Sequence, residues 1–257
     1  MITSISNPKI KDIIQLQKKS RLRNERGLFL VEGIRMAREI PADQMVQMYA
    51  TADFYQKSRQ QLPQEIRPEL VSEQVFSAMS DTKTPQGVLA VVKQSEYQPE
   101  TLMSAENAHL LVLDNLQDPG NLGTIFRTAE AAGVTGIIMS RDCVDIYNPK
   151  TVRSTMGAIF RQPFVYVESV PETIAQMKKH GITVYAAHLQ GRQTYDKENY
   201  RAKTAFLIGN EGNGLRQEVA EAADVWIRIP MEGEAESLNA AVAAAVLMYE
   251  VNRQRRK

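Results

Sequence analysis

HLLVLDNLQDPGNLGTIFRTAEAAGV, residues 109–134, is the stretch whose reading decides the fold. Leu110 to Leu113 form an apolar run of strand length that stops at Asp114. A loop with Pro119, Gly120 and Gly123 follows, and a helical pattern then carries Arg127. Strand, glycine-bearing loop and helix make up the repeating unit of parallel α/β sheets, and such loops let backbone N–H groups approach an anionic or polar ligand. Two nucleotide-binding versions are excluded. GNLG has the wrong glycine spacing for the dinucleotide fingerprint, and no Gly-Lys-Ser/Thr follows to make a Walker A loop. Read alone, the segment is a tight strand–helix turn.

The alternation extends both ways. Toward the C-terminus, GIIMS (136–140), FVYV (164–167), TVYAAHL (183–189), TAFLIG (204–209) and VWIRI (225–229) are strand candidates. Helical patterns fall near 119–132, 170–180 and 214–222, and an alanine-rich helix is expected from Ser237 to Arg253, leading into the basic RQRRK. Toward the N-terminus, GLFLVEG (27–33), MVQMYAT (45–51), ELVS (69–72) and GVLAVVK (87–93) read as strands, with DFYQKSRQQL (53–62) and EQVFSAM (73–79) as helices. Residues 8–23 place Ile10, Ile13, Ile14 and Leu16 among lysines, an amphipathic helix with a basic face. The polar stretch 94–108, with Pro99, reads as a connector. The expected organisation is an α/β domain over 1–95, a linker over 96–108 and a second α/β domain over 109–257.

Composition narrows the function classes. Hydrophobic residues at 43% and charged residues at 24% suit a globular chain with a packed core. The longest apolar stretch, around Ala240 to Tyr249, is too short to span a bilayer, and the N-terminus lacks the apolar segment of a secretory signal. No membrane partner is expected, and a cytoplasmic setting fits the single cysteine, Cys143. With His109, His180 and His188 the only histidines, no metal site is expected. The net charge of +1 hides an asymmetry: residues 1–95 hold 14 Lys/Arg against 10 Asp/Glu, and the remainder 17 against 20. Lys9, Lys11, Lys18, Lys19, Arg21, Arg23 and Arg26 face only Asp12 and Glu25, which suits either a polyanion such as RNA or a solvated helix face.

Two further segments share the strand–loop–helix design. In FLIGNEGNGL (206–215) a strand runs into three glycines with Asn210, Glu211 and Asn213 among them, a loop able to wrap a small polar ligand. In IRIPMEGEAESLNAAVAAAVLMYE (227–250) a strand ends in the loop Pro230 to Glu236, and Ser237 is a good N-cap for the helix beyond.

Taken together, N-x-G-x-x-x-R-x-A (Asn121, Gly123, Arg127, Ala129), G-N-E-G-x-G-L (209–215) and I-P-M-x-G-x-x-x-S-L-N (229–239) resemble the three signature segments of the SpoU/TrmH RNA 2′-O-ribose methyltransferases of the SPOUT superfamily, in order and at family spacing. The resemblance covers roughly 108–252 and departs mildly at Ala240-Ala241, where the family often has Val-Ser or Val-Ala. S-x-x-N-P-K-I-K (4–11) and FLVEGIR (29–35) look like the opening of a bacterial subgroup whose N-terminal RNA-binding domain resembles certain ribosomal proteins.

The resemblance implies an α/β SPOUT domain with a deep trefoil knot, preceded by a small ribosomal-protein-like α/β domain. It implies S-adenosyl-L-methionine as cofactor, held by Ala187, His188, Gly209, Asn210, Glu211, Gly212, Ile229, Met231, Gly233, Ser237 and Leu238. It assigns the chemistry to Arg127, Asn121, Ser237 and Asn239, and RNA contacts to Arg127, to Arg153 in NPKTVRSTMG (148–157), and to Lys9, Lys11, Lys18, Lys19, Arg21 and Arg23. A ribose hydroxyl is a poor nucleophile at neutral pH, so the site must stabilise its oxyanion or take its proton. Arg127 is either the general base or, because a neutral guanidinium is costly, a clamp on the phosphate and developing alkoxide. Otherwise Arg127 is a surface arginine paired with Glu130 or Asp118, and His188 a structural histidine. The expected partners are ribosomal RNA ahead of transfer RNA, and a second copy in a homodimer. Base methylation is disfavoured by the ribose-type residue set. A catalytically silent RNA-binding ribosome-assembly factor is the alternative of another class.

Overall fold

Asn7 fixes the first helix, because its side chain accepts the Lys9 N–H and Pro8 occupies the first turn of α1 (Pro8–Lys18). In this computed structural model, which describes residues 1–62 and 66–256, the basic amphipathic stretch is not one helix. The extended backbone of Lys19 separates α1 from α2 (Ser20–Arg26). The break lets the Arg23 guanidinium fold back onto the carbonyls of Leu16 and Gln17, at 2.7 and 3.0 Å, which lie in the last turn of α1 where carbonyls lack helical partners.

The first sheet contains β1 (Leu28–Glu32), β2 (Met45–Thr51), β3 (Glu69–Val71) and β4 (Val88–Lys93) in the order β1-β4-β2-β3. Between them lie α3 (Ile34–Ala37), α4 (Ala52–Ser58) and α5 (Glu73–Met79). β4 runs antiparallel to β1 and β2, and β3 runs parallel to β2. Ile10, Ile13 and Leu16 of α1 share a core with Val75, Phe76 and Met79 of α5 and with Leu30 and Leu89 of the sheet.

The second series is α6 (Pro99–Met103), β5 (His109–Leu113), α7 (Pro119–Ala132), β6 (Gly136–Ser140), α8 (Pro149–Ser154), β7 (Phe164–Val167), α9 (Val170–Lys179), β8 (Thr183–Ala187), β9 (Gln193–Thr194), β10 (Thr204–Ile208), α10 (Gln217–Glu221), β11 (Val225–Arg228) and α11 (Ala240–Arg255). Seven strands form one wholly parallel sheet in the order β7-β6-β5-β10-β8-β11-β9. After β5 the chain builds outward through β6 and β7, then returns to the other side of β5. The order therefore reverses between β5 and β10, the place where open parallel sheets bind ligands.

Packing divides the chain into two units: Met1–Ser95 with Asp145–Phe160, and Glu96–Val144 with Arg161 onward. Residues 145–160 thus belong structurally to the first unit, although the sequence places them inside the second domain. The expected linker is also partly structural, because α6 buries Leu102 and Met103 in the second core. Gly136 is required there: a Cβ would lie 2.4 Å from Leu102 Cδ2. The last helix begins at Ala240, not at Ser237, because Asn239 is the residue whose side chain accepts from the N–H groups of Ala241 and Val242. Among the described residues no helix is long and apolar enough to cross a membrane, and no cluster of His, Cys, Asp and Glu could hold a metal. Lys257, the last of the basic RQRRK run, lies outside the described residues.

Candidate active site

A parallel sheet places every strand's carboxyl end on one edge. Four of the loops at that edge carry the signature segments and their neighbours: 114–118 after β5, 188–192 after β8, 209–216 after β10 and 229–239 after β11. The first is shaped by Asn115, a non-glycine residue at φ 56°, a region asparagine tolerates better than most side chains. Its N–H donates to Ser140 Oγ, its carbonyl accepts from Asn210 Nδ2 at 2.9 Å, and its Oδ1 accepts from Gln117 Nε2 at 2.7 Å.

The loop after β10 closes on itself. Asn210 and Gly214 exchange two main-chain hydrogen bonds of 2.9 and 3.0 Å. Gly209 sits so near the returning strand that a Cβ would lie 2.1 Å from the Gly214 carbonyl carbon. The tip of this loop presents Glu211 to the first loop. Glu211 Oε2 accepts the Gln117 N–H at 3.1 Å, and Oε1 accepts both the Asp118 N–H at 2.9 Å and Asn121 Nδ2 at 3.0 Å. Burial pushes the Glu211 carboxyl up, but these three donors outweigh it and leave its pKa below the usual value.

Asn121 carries the network onward, since its Oδ1 accepts from Asn239 Nδ2 at 3.0 Å while Asn239 Oδ1 caps α11. One residue from each signature segment is therefore joined in a line, Asn239 to Asn121 to Glu211. Each amide donates and accepts in one direction, so the line fixes three loops at once.

Other expected residues stand apart from it. Arg127 lies six residues beyond Asn121 on α7, about 9 Å along the axis, exposed and with no hydrogen bond or ion pair among the described residues. Its alternative partners are taken: Glu130 pairs with Arg161 at 3.1 Å, and Asp118 caps α7 through the Asn121 N–H at 2.7 Å. Ser237 is exposed, Gly212 and Gly233 likewise, and Ala187, Asn210, Ile229, Met231 and Leu238 are half-buried around the loops. His188 packs on the Trp226 ring at 4.3 Å, and its Nδ1 accepts the Gln190 N–H at 3.1 Å, a structural arrangement. Beside it Gly191 passes β11 so closely that a Cβ would sit 2.5 Å from the Ile227 carbonyl carbon.

The cations expected to face RNA divide in the first unit. Lys11, Lys18 and Lys19 are exposed, Lys9 pairs with Glu69 at 2.8 Å and Arg21 with Glu25 at 2.6 Å. Arg23 is a correction. It is 3% exposed, and its guanidinium is spent on Asp145 at 2.6 Å and on the α1 carbonyls, so it cannot reach a polyanion. Arg153 is half-buried and bonded to Asp81 at 3.0 Å. Sequence reasoning missed Asn115, Gly191 and the pair formed by Asp114 and Arg216. Only the position of Arg216, directly after GNEGNGL, offered a signal.

A parallel α/β sheet with polar loops converging at its switch point defines a class, the ligand-binding α/β enzymes. The profile of the SpoU rRNA Methylase family matches residues 108–249, and that of the MRM3-like substrate binding domain matches residues 7–90. The chain is 35% identical, over 96% of its length and 97% of the relative's, to the 23S rRNA (guanosine(2553)-2'-O)-methyltransferase RlmP of Bacillus subtilis. It superposes on the AdoMet-bound rRNA methyltransferase of Sinorhizobium meliloti with a TM-score of 0.85 at 31% identity, covering 100% of this chain and 98% of that one. The SpoU methyltransferase AviRb of Streptomyces viridochromogenes, in complex with AdoMet, gives a TM-score of 0.85 at 27% identity, covering 97% and 98%. The chain belongs to the SpoU rRNA methylase family.

Proposed function

We propose that this protein is an S-adenosyl-L-methionine-dependent RNA 2′-O-ribose methyltransferase and that its substrate is ribosomal RNA. The observation that carries the reading is the Asn239–Asn121–Glu211 line, which ties the three signature loops together at the switch point. Relatives named as 23S rRNA 2'-O-methyltransferases support the substrate class.

The residues present suit the cofactor. Main-chain groups of residues 230–238 make no hydrogen bond within the described chain, so they are free to bond a ligand's polar edge. Half-buried Ile229, Met231 and Leu238 supply apolar contact beside them, and Gly209, Asn210 and Gly212 line the facing loop. When bound, the cofactor supplies an electrophilic methyl group. The chain's own work is to place the ribose hydroxyl and stabilise the alkoxide. Arg127, exposed and without a partner among the described residues, does this as a permanent cation on the phosphate and the developing negative charge, the hydroxyl's proton passing to water. Asn239, the N-cap of α11 bonded to Asn121, and Ser237, exposed two residues before it, orient the sugar.

Three companion readings belong to the same proposal. The packing of α11 on α7 and β10 supports reading the segment after β11 as the expected trefoil knot. Residues 1–95 deliver the RNA through Lys11, Lys18 and Lys19, and the 96–108 connector leads from them into the catalytic domain. The protein works as a homodimer: Val242 and Tyr249 are each 48% exposed on α11, with half-buried Val246 between them, an apolar stripe suited to a second copy.

Mapping ribose methylation across total RNA, with and without the gene, tests the function. Loss at one ribosomal position is expected, loss in transfer RNA would move the substrate, and no loss anywhere would overturn the reading. Arg127→Lys should lower kcat about 100-fold, the scale of a lost transition-state donor. Full activity in that variant would exclude both roles weighed for Arg127.

A further inference from the structure

We propose that Arg216, seated on the buried carboxylate of Asp114, is a positioning residue that preorganises the 209–215 loop for S-adenosyl-L-methionine. The inference rests on the methyltransferase reading and adds residues outside the three signature segments.

Asp114 stands at the tip of β5 and is wholly buried. Its carboxylate accepts the Arg216 main-chain N–H at 3.1 Å, Arg216 Nε at 2.9 Å and Arg216 Nη2. The remaining arm, Nη1, reaches Asp142 at 3.2 Å in the loop after β6. These contacts hold the guanidinium's charged form and raise its pKa further. Both guanidinium donors converge on Oδ1 and the main-chain N–H takes Oδ2, so the planar guanidinium and its own backbone are held on the carboxylate together.

The placement gives the pair a task. The 209–215 loop contains Gly209, Gly212 and Gly214, the last at φ 69°, so three of its seven residues lack the side chain that would restrict the backbone. Its tip is tied down by Glu211, and its exit by Arg216, one residue past Leu215. A loop pinned at tip and exit presents its main-chain groups in one arrangement, so binding does not have to order it. Loosening the exit makes the ligand supply that ordering. The cofactor binds more weakly, while the saturated complex, with the loop ordered again, turns over normally.

Calorimetry with S-adenosyl-L-methionine and steady-state kinetics on the full chain test this. Arg216→Lys keeps the charge facing Asp114 and removes the planar guanidinium. Asp114→Asn with Arg216→Gln removes the buried carboxylate's charge together with that of its half-buried partner and keeps hydrogen-bonding groups, which guards against misfolding from an uncompensated carboxylate. In each, Kd and KM for the cofactor should rise about tenfold with kcat at saturation held within about twofold, the signature of lost preorganisation. Hydrogen exchange at the Asn210 and Gly214 amides should quicken, because those two bonds close the loop. A cofactor Kd unchanged in the variants, even where Tm falls, would overturn the proposal and reduce the pair to scaffolding. A wild-type chain that binds no S-adenosyl-L-methionine would overturn the methyltransferase reading and this proposal with it.

Discussion

At the scale of the residue, Glu211 is the member of the network whose loss costs most. It is the sole charged acceptor for two main-chain N–H groups and the Asn121 amide. Glu211→Gln replaces one acceptor oxygen by a donor facing other donors, so kcat/KM should fall about 10- to 100-fold, the range of a hydrogen bond to a charged group. A change of less than twofold would show that the line does not govern the chemistry. His109 makes a different prediction. Buried at the start of β5, with Arg255 as a second and smaller cause, its pKa is pushed down to about 3. The unfolded chain therefore takes up a proton below about pH 6.5 that the folded chain refuses until about pH 3, so stability falls as pH drops through that window, by up to about 1.4 kcal/mol per pH unit. His109→Phe keeps the edge-on packing against Phe206 and removes an unpartnered Nε2. Urea unfolding between pH 4 and 7 should show a flatter profile for this variant, and parallel profiles would count against the assignment.

At the scale of the element, periodicity located most strands and helices because their burial is regular. The run 45–51 is β2 residue for residue, and 119–132 is α7. Short or irregular elements escaped it. β9 has two residues and no pattern to read, and α6 buries only two side chains from a polar sequence. Lys19 breaks the first helix for the sake of Arg23, a contact with Asp145 far along the chain that no local window contains. The glycine loops were legible as turns, but not the distances that make them obligatory. Gly209→Ala would force a Cβ to 2.1 Å from the Gly214 carbonyl carbon and open the loop. Cofactor binding should disappear while most helical circular dichroism remains, and retained affinity would show that the loop can shift without loss.

At the scale of the whole molecule, the first unit contains chain from two places. Phe29 of β1 packs on Tyr147 with ring centroids 4.8 Å apart and on Phe160 at 6.1 Å, and buried Arg23 has Asp145 as its counter-ion. An isolated 1–95 fragment would leave that charge buried and unpaired, a loss of about 3–5 kcal/mol before the missing aromatic packing is counted. It should give a poorly dispersed amide spectrum, and a cooperative, well-dispersed fold would show that 145–160 is dispensable. The sequence by itself determined the α/β class, the alternation of elements, and the identity of the three loops, because hydrophobic period and glycine placement are local properties. Their grouping into one family signature likewise needed only order and spacing. Tertiary structure alone decided which side chains meet. It joined Asn121, Glu211 and Asn239 across more than a hundred residues of chain, withdrew Arg23 from the RNA-facing set, and paired Asp114 with Arg216. Such pairings depend on how strands order in a sheet, and strand order is set by the packing of the whole core.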